Sequence, residues 1–228
     1  MSRGWLIVFA KAPRPGLVKT RMSPPLSLDE CAELYQAMLA DVLEASADFA
    51  AMLDLLPVLA FHPPDAVAEL IGRAMPGTRL QIQRGVDLGE RMANAFAEAA
   101  AAGAQRILLR GSDSPALERS LFKAAMERLD AGDDVVFTPD QSGGYAMIGM
   151  RAPQPALFEL AMSNSDMLSD TLSIADSLGL RTSMTAPGFD LDTVGDFRCI
   201  DALTSAQRSD LCPRTVRSIS SLPIDPVL

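Results

Sequence analysis

Short apolar runs alternate with longer stretches of helical periodicity along most of the chain. Seven runs have strand character: Trp5–Ala10, Leu55–Phe61, Arg79–Gln83, Arg106–Arg110, Asp134–Thr138, Tyr145–Met150 and Arg181–Thr185. The clearest helix follows the first of them. Ser27, with Glu30 three positions on, forms a capping box. Cys31, Leu34, Tyr35, Met38 and Val42 then recur at helical spacing and define one buried face. Further helices are predicted over Asp65–Ala74, Leu88–Ala102, Ala116–Ala131, Asp166–Leu178 and Val194–Leu203. Strands alternating with helices predict an α/β domain, its sheet mostly parallel and covered on both faces. No repeat or low-complexity linker divides the chain, and the Ala-rich stretch Ala93–Ala104 is a good helix former. The expectation is one domain over residues 1–204. Residues 205–228, with Pro213, Pro223 and Pro226, form a tail that runs over the surface or packs on the same domain.

Composition narrows the function classes. Of 228 residues, 48% are hydrophobic, enough for a substantial core, and the formal net charge is −9. Such acidity argues against a nucleic-acid partner or an anionic membrane surface, both of which need a basic footprint. No apolar stretch reaches the roughly 20 residues that span a bilayer. No signal-peptide pattern precedes the first strand. Cys31, Cys199 and Cys212 are odd in number, widely spaced and without a Cys-x-x-Cys, so neither a zinc site nor a disulfide framework is expected. A reducing cytoplasm is the simplest compartment. His62 is the one histidine, which excludes His-rich metal sites; at a strand end beside Pro63 and Pro64 it reads as structural or incidental. The twelve methionines are scattered and read as core filler.

Against that acidic background, the loop after the first strand stands out. It carries Lys11, Arg14, Lys19 and Arg21, punctuated by Pro13, Pro15 and Gly16. Loops at the carboxyl ends of strands in open α/β sheets bind ligands. Cations there suit a phosphate-bearing ligand, or belong to an ordinary solvated connection. Three more segments fall at predicted strand ends. In Gly111-Ser112-Asp113-Ser114-Pro115, Asp113 reads as a turn-former or helix cap, or as a ligand for magnesium or manganese. In Asp140-Gln141-Ser142-Gly143-Gly144-Tyr145, the glycines allow close backbone approach to a ligand, or a hairpin turn. In Asp190-Leu191-Asp192-Thr193, an extended backbone puts both carboxylates on one side, where they need a compensating cation; Asp192-Thr193 equally caps a helix. A fourth segment, Gly85-Val86-Asp87-Leu88-Gly89-Glu90-Arg91-Met92, leads from a loop into a helix.

Taken in order, these segments resemble the rSAM/selenodomain-associated transferase family, a branch of the GT-A-like nucleotide-diphospho-sugar transferase fold. The resemblance spans roughly residues 5–200. It is more distant to the molybdenum-cofactor and phospholactate guanylyltransferases, whose first loop also ends in Thr-Arg or Ser-Arg before an apolar residue, as does Thr20-Arg21-Met22. The resemblance implies a single Rossmann-like domain with a mixed, mostly parallel sheet. It implies a nucleotide pocket formed by Ala10, Lys11, Gly16, Lys19, Arg21, Asp87, Gly89, Arg91, Ser112, Gly143 and Gly144. It implies Mg²⁺ or Mn²⁺ held by Asp113 with Asp192 or Asp190, and a catalytic set of Asp113, Lys19 and Arg21. The implied reaction is metal-dependent transfer from a nucleotide or nucleotide-sugar donor to an unidentified small-molecule acceptor. Glycosyl transfer is the first reading and nucleotidyl transfer with release of pyrophosphate the second. A non-catalytic nucleotide-binding protein is the alternative of another class. Its support is Ser142, which stands where the family carries an acidic residue before the paired glycines. Asp140 is then a candidate base, or a solvated turn residue. The family's tryptophan is replaced by Met162, and its Asp-Cys-Pro by Asp113-Ser114-Pro115.

Overall fold

The computed structural model describes residues 4–160 and 166–223. Seven strands form one sheet: β1 (Gly4–Lys11), β2 (Leu55–His62), β3 (Arg79–Ile82), β4 (Arg106–Gly111), β5 (Val135–Pro139), β6 (Tyr145–Met150) and β7 (Thr182–Met184). Their spatial order is β3-β2-β1-β4-β6-β5-β7. All run parallel except β6, which is antiparallel to both β4 and β5. The Gly143-Gly144 segment joins β5 to β6 as a hairpin, the structural alternative for that motif.

The helices are α1 (Leu28–Met52), α2 (Val67–Leu70), α3 (Leu88–Ala101), α4 (Arg119–Asp130), α5 (Met167–Ser177), α6 (Phe197–Asp201), α7 (Ser205–Leu211) and α8 (Pro213–Ser220). The sheet is buried on both faces, and β1 shows why its run is unbroken by polar residues. Trp5, Ile7 and Phe9 pack toward Met92 and Phe96 of α3 and Ala175 of α5. Leu6 meets α4, while Val8 and Ala10 meet α1. Alternating Cβ directions put successive side chains into opposite layers, so each must be apolar.

The capping box that starts α1 forms as predicted: the Glu30 amide donates to Ser27 Oγ at 3.2 Å, and the Ser27 amide to Glu30 Oε2 at 2.8 Å. Three predicted helices are shorter than their periodicity suggested. The Asp65–Ala74 segment opens as a 3-10 turn over Pro64–Ala66, and α2 covers one turn only. After β4 the predicted Ala116 start is not reached: Glu118 is extended as the N-cap, and α4 begins at Arg119. The Val194–Leu203 segment divides into a 3-10 turn (Val194–Asp196) and α6. Met162 and Pro226 lie outside the described residues.

Ser205–Leu211 and Pro213–Ser220 of the last stretch are helical. Helices α7 and α8 cover α1, with Cys212 buried among Cys31, Leu34 and Met38. Asp41 of α1, its side chain fully buried, holds the first turn of α8. Its Oδ2 accepts from the Thr215 amide and hydroxyl, both at 2.8 Å, and its Oδ1 from Arg214 Nη1 at 3.1 Å. Asp41→Ala strands those donors and should cost about 2–3 kcal/mol. A lower urea midpoint, with Cys212 opened to thiol reagents, is the expected result.

Candidate nucleotide and metal site

Chain order β1-α1-β2 runs to one side of β1, and the connection from β3 through α3 returns to β4 on its other side. That reversal opens a crevice beyond the carboxyl ends of β1 and β4, where ligands bind in open α/β sheets. A cleft of about 550 Å³ lies there, within the range of small-molecule pockets.

At its centre is Lys19. The residue sits in the left-handed region, φ 50° and ψ 30°, just before the 3-10 turn Thr20–Met22. Its ammonium is buried between two carboxylates, paired with Asp113 Oδ1 and 3.0 Å from Asp192 Oδ1. Burial alone would lower the pKa of Lys19. The two carboxylates outweigh it and hold the group well above the ordinary lysine range. Arg21, mostly exposed, reaches Asp192 Oδ2 at 3.3 Å. Neither acid is spent on a cap: Thr193 and Asp196 form the capping box of the turn after Asp192.

Asp190 is the third carboxylate. It accepts from the Ser114 hydroxyl. Burial first and Asp113 second push its pKa up to about 7, against the opposing Ser114 bond. The backbone of Asp190 is clamped by Gln141, whose Nε2 donates to the Asp190 carbonyl at 2.7 Å and whose Oε1 accepts from its amide at 2.9 Å. Below this, Arg110 is wholly buried, donating to the Ser114 carbonyl and lying 5.5 Å from the Phe122 ring. Burial drops its pKa to about 9, with Asp190 pulling the other way. Tyr35 of α1 ties the two strand ends together: it accepts from the Lys11 amide at 2.9 Å and lies 2.8 Å from Ser112 Oγ.

Of the nucleotide- and metal-site residues that the resemblance implied, Ala10, Lys11, Lys19, Arg21, Arg91, Ser112, Asp113, Gly144, Asp190 and Asp192 line the cleft. Four do not. Gly16 makes a positive-φ turn, Asp87 caps α3 through the Glu90 amide at 2.8 Å, and Gly89 is buried in the first turn of α3. Gly143 adopts φ 87° in the hairpin. Gly144 has no room for a side chain, since a Cβ there would lie 2.7 Å from Asp140 Oδ2. Asp140 organises the turn, accepting at Oδ1 from Ser142 N, Ser142 Oγ and Gly144 N at 2.6, 2.9 and 3.0 Å. Arg14 faces away, paired with Asp65 at 3.1 Å and with Glu69. His62, read from the sequence as structural or incidental, is in the cleft wall, as are Gln83 and Tyr145. Gln141 and Arg110 carried one faint signal each: an amide beside the glycine pair, and a cation ending an apolar strand.

The fold is the single-domain α/β fold of a nucleotide-diphospho-sugar transferase. The chain superposes on a protein of Desulfovibrio desulfuricans G20, itself provisionally assigned as such a transferase, with TM-score 0.83 and 27% identity over 96% of each chain. It is similar in fold to a CMP:2-keto-3-deoxy-manno-octonic acid synthetase complexed with CTP, at TM-score 0.55 and 12% identity, over 90% of this chain and all of the other. A 4-diphosphocytidyl-2C-methyl-D-erythritol synthase of Anaerococcus prevotii matches at TM-score 0.56 and 10% identity, over 87% and 95% of the two chains. No curated protein matches the sequence. A family model covering residues 46–164 does match, and the chain belongs to that family, described as an uncharacterized protein conserved in bacteria (DUF2064). Among the described residues, no helix is long and apolar enough to cross a membrane.

Because its folded pKa lies near 7, Asp190 keeps a proton that the unfolded chain releases near pH 4. Native stability should therefore fall as pH rises from about 4 to about 7. In metal-free buffer, Asp190→Asn should flatten that slope and be the more stable protein above pH 7. Urea unfolding at pH 5 and pH 8 reads both effects.

Proposed function

We propose that this protein is a metal-dependent transferase using a nucleotide-activated donor, with an NDP-sugar as donor and an acceptor hydroxyl as nucleophile. The observation that carries the reading is the convergence of Asp113 and Asp192 on one cation position at the mouth of β1 and β4. The neighbours named for nucleotide and nucleotide-sugar chemistry support a nucleotide-utilising transferase on this fold. The similarity to the rSAM/selenodomain-associated transferases belongs to the same reading.

The donor set suits a divalent ion by its chemistry. Asp113 and Asp192 offer only hard oxygen atoms, which suit Mg²⁺ or Mn²⁺. Among the described residues, no group of three acidic, thiol or imidazole side chains forms a closed metal cage. Two carboxylates fit an ion that takes its remaining ligands from water and substrate phosphates, the habit of magnesium. Bound there, such an ion supplies charge neutralisation on the phosphates.

The chain's own residues then have defined work. Lys19, displaced from its carboxylates, and Arg21 turn to the phosphate oxygens and offset the charge that develops on the departing group. The acceptor hydroxyl oxygen bonds to the anomeric carbon as the bond from that carbon to the phosphate oxygen breaks, releasing a nucleoside diphosphate and, from the hydroxyl, a proton to solvent. Gln141 holds the backbone of Asp190, and Arg110, through Ser114, its carboxylate. In the second reading the acceptor attacks the α-phosphorus and pyrophosphate leaves; its support is the fold similarity to a synthetase complexed with CTP.

A thermal-shift panel of NTPs, NDPs and NDP-sugars, with and without Mg²⁺ or Mn²⁺, tests the assignment. At 100 times its dissociation constant the true donor should stabilise the protein by about 2.7 kcal/mol. The metal-dependent part should vanish in Asp113→Ala. Release of nucleoside diphosphate or of pyrophosphate then separates the two chemistries. Binding without turnover would identify a nucleotide-binding protein, and no shift with any nucleotide would overturn the proposal.

A further inference from the structure

The cations that line the cleft differ in charge balance. Lys19 and Arg21 are neutralised by Asp113 and Asp192. Exposed Lys11 and half-buried Arg91 make no ion pair with a carboxylate of the described residues. The Nε of Arg91 is buried and has no hydrogen-bond partner, a costly arrangement unless something else accepts from it. In a chain of net charge −9, two unpaired cations in one cleft wall call for an anion.

Topology explains how they meet. Lys11 and His62 are register partners on neighbouring parallel strands, so their side chains leave the sheet on one face. Trp5, Ile7 and Phe9 of β1, with Val58 and Ala60 of β2, place that face against α3. Arg91 enters the cleft from the first turn of α3. His62 registers both cations: burial first, then Arg91 and Lys11, hold its imidazole below the ordinary range. Asp65 opposes them, but it is engaged with Arg14 at 3.1 Å.

We propose that Lys11, His62 and Arg91 form an oxyanion subsite that takes a phosphate group of the ligand, separate from the Asp113–Lys19–Asp192 centre. It deepens the nucleotide reading by adding a phosphate position that needs no metal. That phosphate belongs either to the donor nucleotide or to a phosphorylated acceptor, and Arg91 presents the guanidinium fork that matches it.

His62 is the only histidine, so one imidazole signal in a proton NMR spectrum reports this corner directly. With EDTA present, its titration is followed with pyrophosphate, with a sugar monophosphate, and with neither. An anion seated beside it offsets the two cations and should raise its pKa by about 0.5–1 unit. Arg91→Gln should abolish that response and weaken binding about tenfold, with Lys11→Gln giving a smaller loss of the same sign. Lys123→Gln, which removes an equal charge from an exposed pair with Glu127, should change nothing. The larger response, to pyrophosphate or to the sugar phosphate, identifies the source. A silent His62 with both anions, or a response that survives in Arg91→Gln, overturns the subsite. Nucleotide binding with a silent His62 would leave the transferase reading standing without it. A His62 response with no nucleotide binding would do the opposite.

Discussion

One buried ammonium joins the parts of this molecule that would do chemistry. Lys19 comes from the loop after β1, Asp113 from the end of β4 and Asp192 from the segment before α6, and only the folded chain brings the three together. An ammonium removed from water is tolerable when carboxylates replace its hydration. Asp113 and Asp192 likewise repel each other unless a cation lies between them. Each group therefore requires the others. The left-handed backbone at Lys19 is the local strain accepted to aim the side chain inward.

Around this ion triad, polar groups are satisfied in successive layers. Gln141 holds the backbone of Asp190, Asp196 holds that of Asp192 and Thr193, and Arg110 holds the carbonyl of Ser114. Such networks fix carboxylate directions more narrowly than a loop can. The Lys11–His62–Arg91 wall shows the opposite economy, with cations left open. The cleft thus combines cations already paired with cations still open to a ligand.

The strands were legible because each is a short apolar run with both faces buried, a pattern with few readings. Helix α2 was less so, since Pro64 and one turn of periodicity do not distinguish a helix from a 3-10 corner. For the site, strand-end position and residue type brought out Lys19, Asp113, Asp190 and Asp192, and the resemblance supplied the order of the motifs. Pairings across distance were not legible: no periodicity links Lys19 to Asp192, 173 positions on, or Tyr35 to Ser112, 77 positions on. His62 was discounted because a lone histidine beside prolines carries no signal until the strand register sets it opposite Lys11. Gln141 was passed over because an amide's value lies in the backbone it meets.

Asp41 also ties the end of the described chain to the helix behind the cleft. The helix it anchors, α8, belongs to the same apolar cluster as the face of α1 that carries Leu34 and Met38, and Tyr35 of that helix reaches the strand ends. Leu211, Cys212, Val216 and Ile219 close over Cys31, Leu34 and Met38, so the last two helices brace from behind the same helix whose Tyr35 joins the strand ends at the cleft.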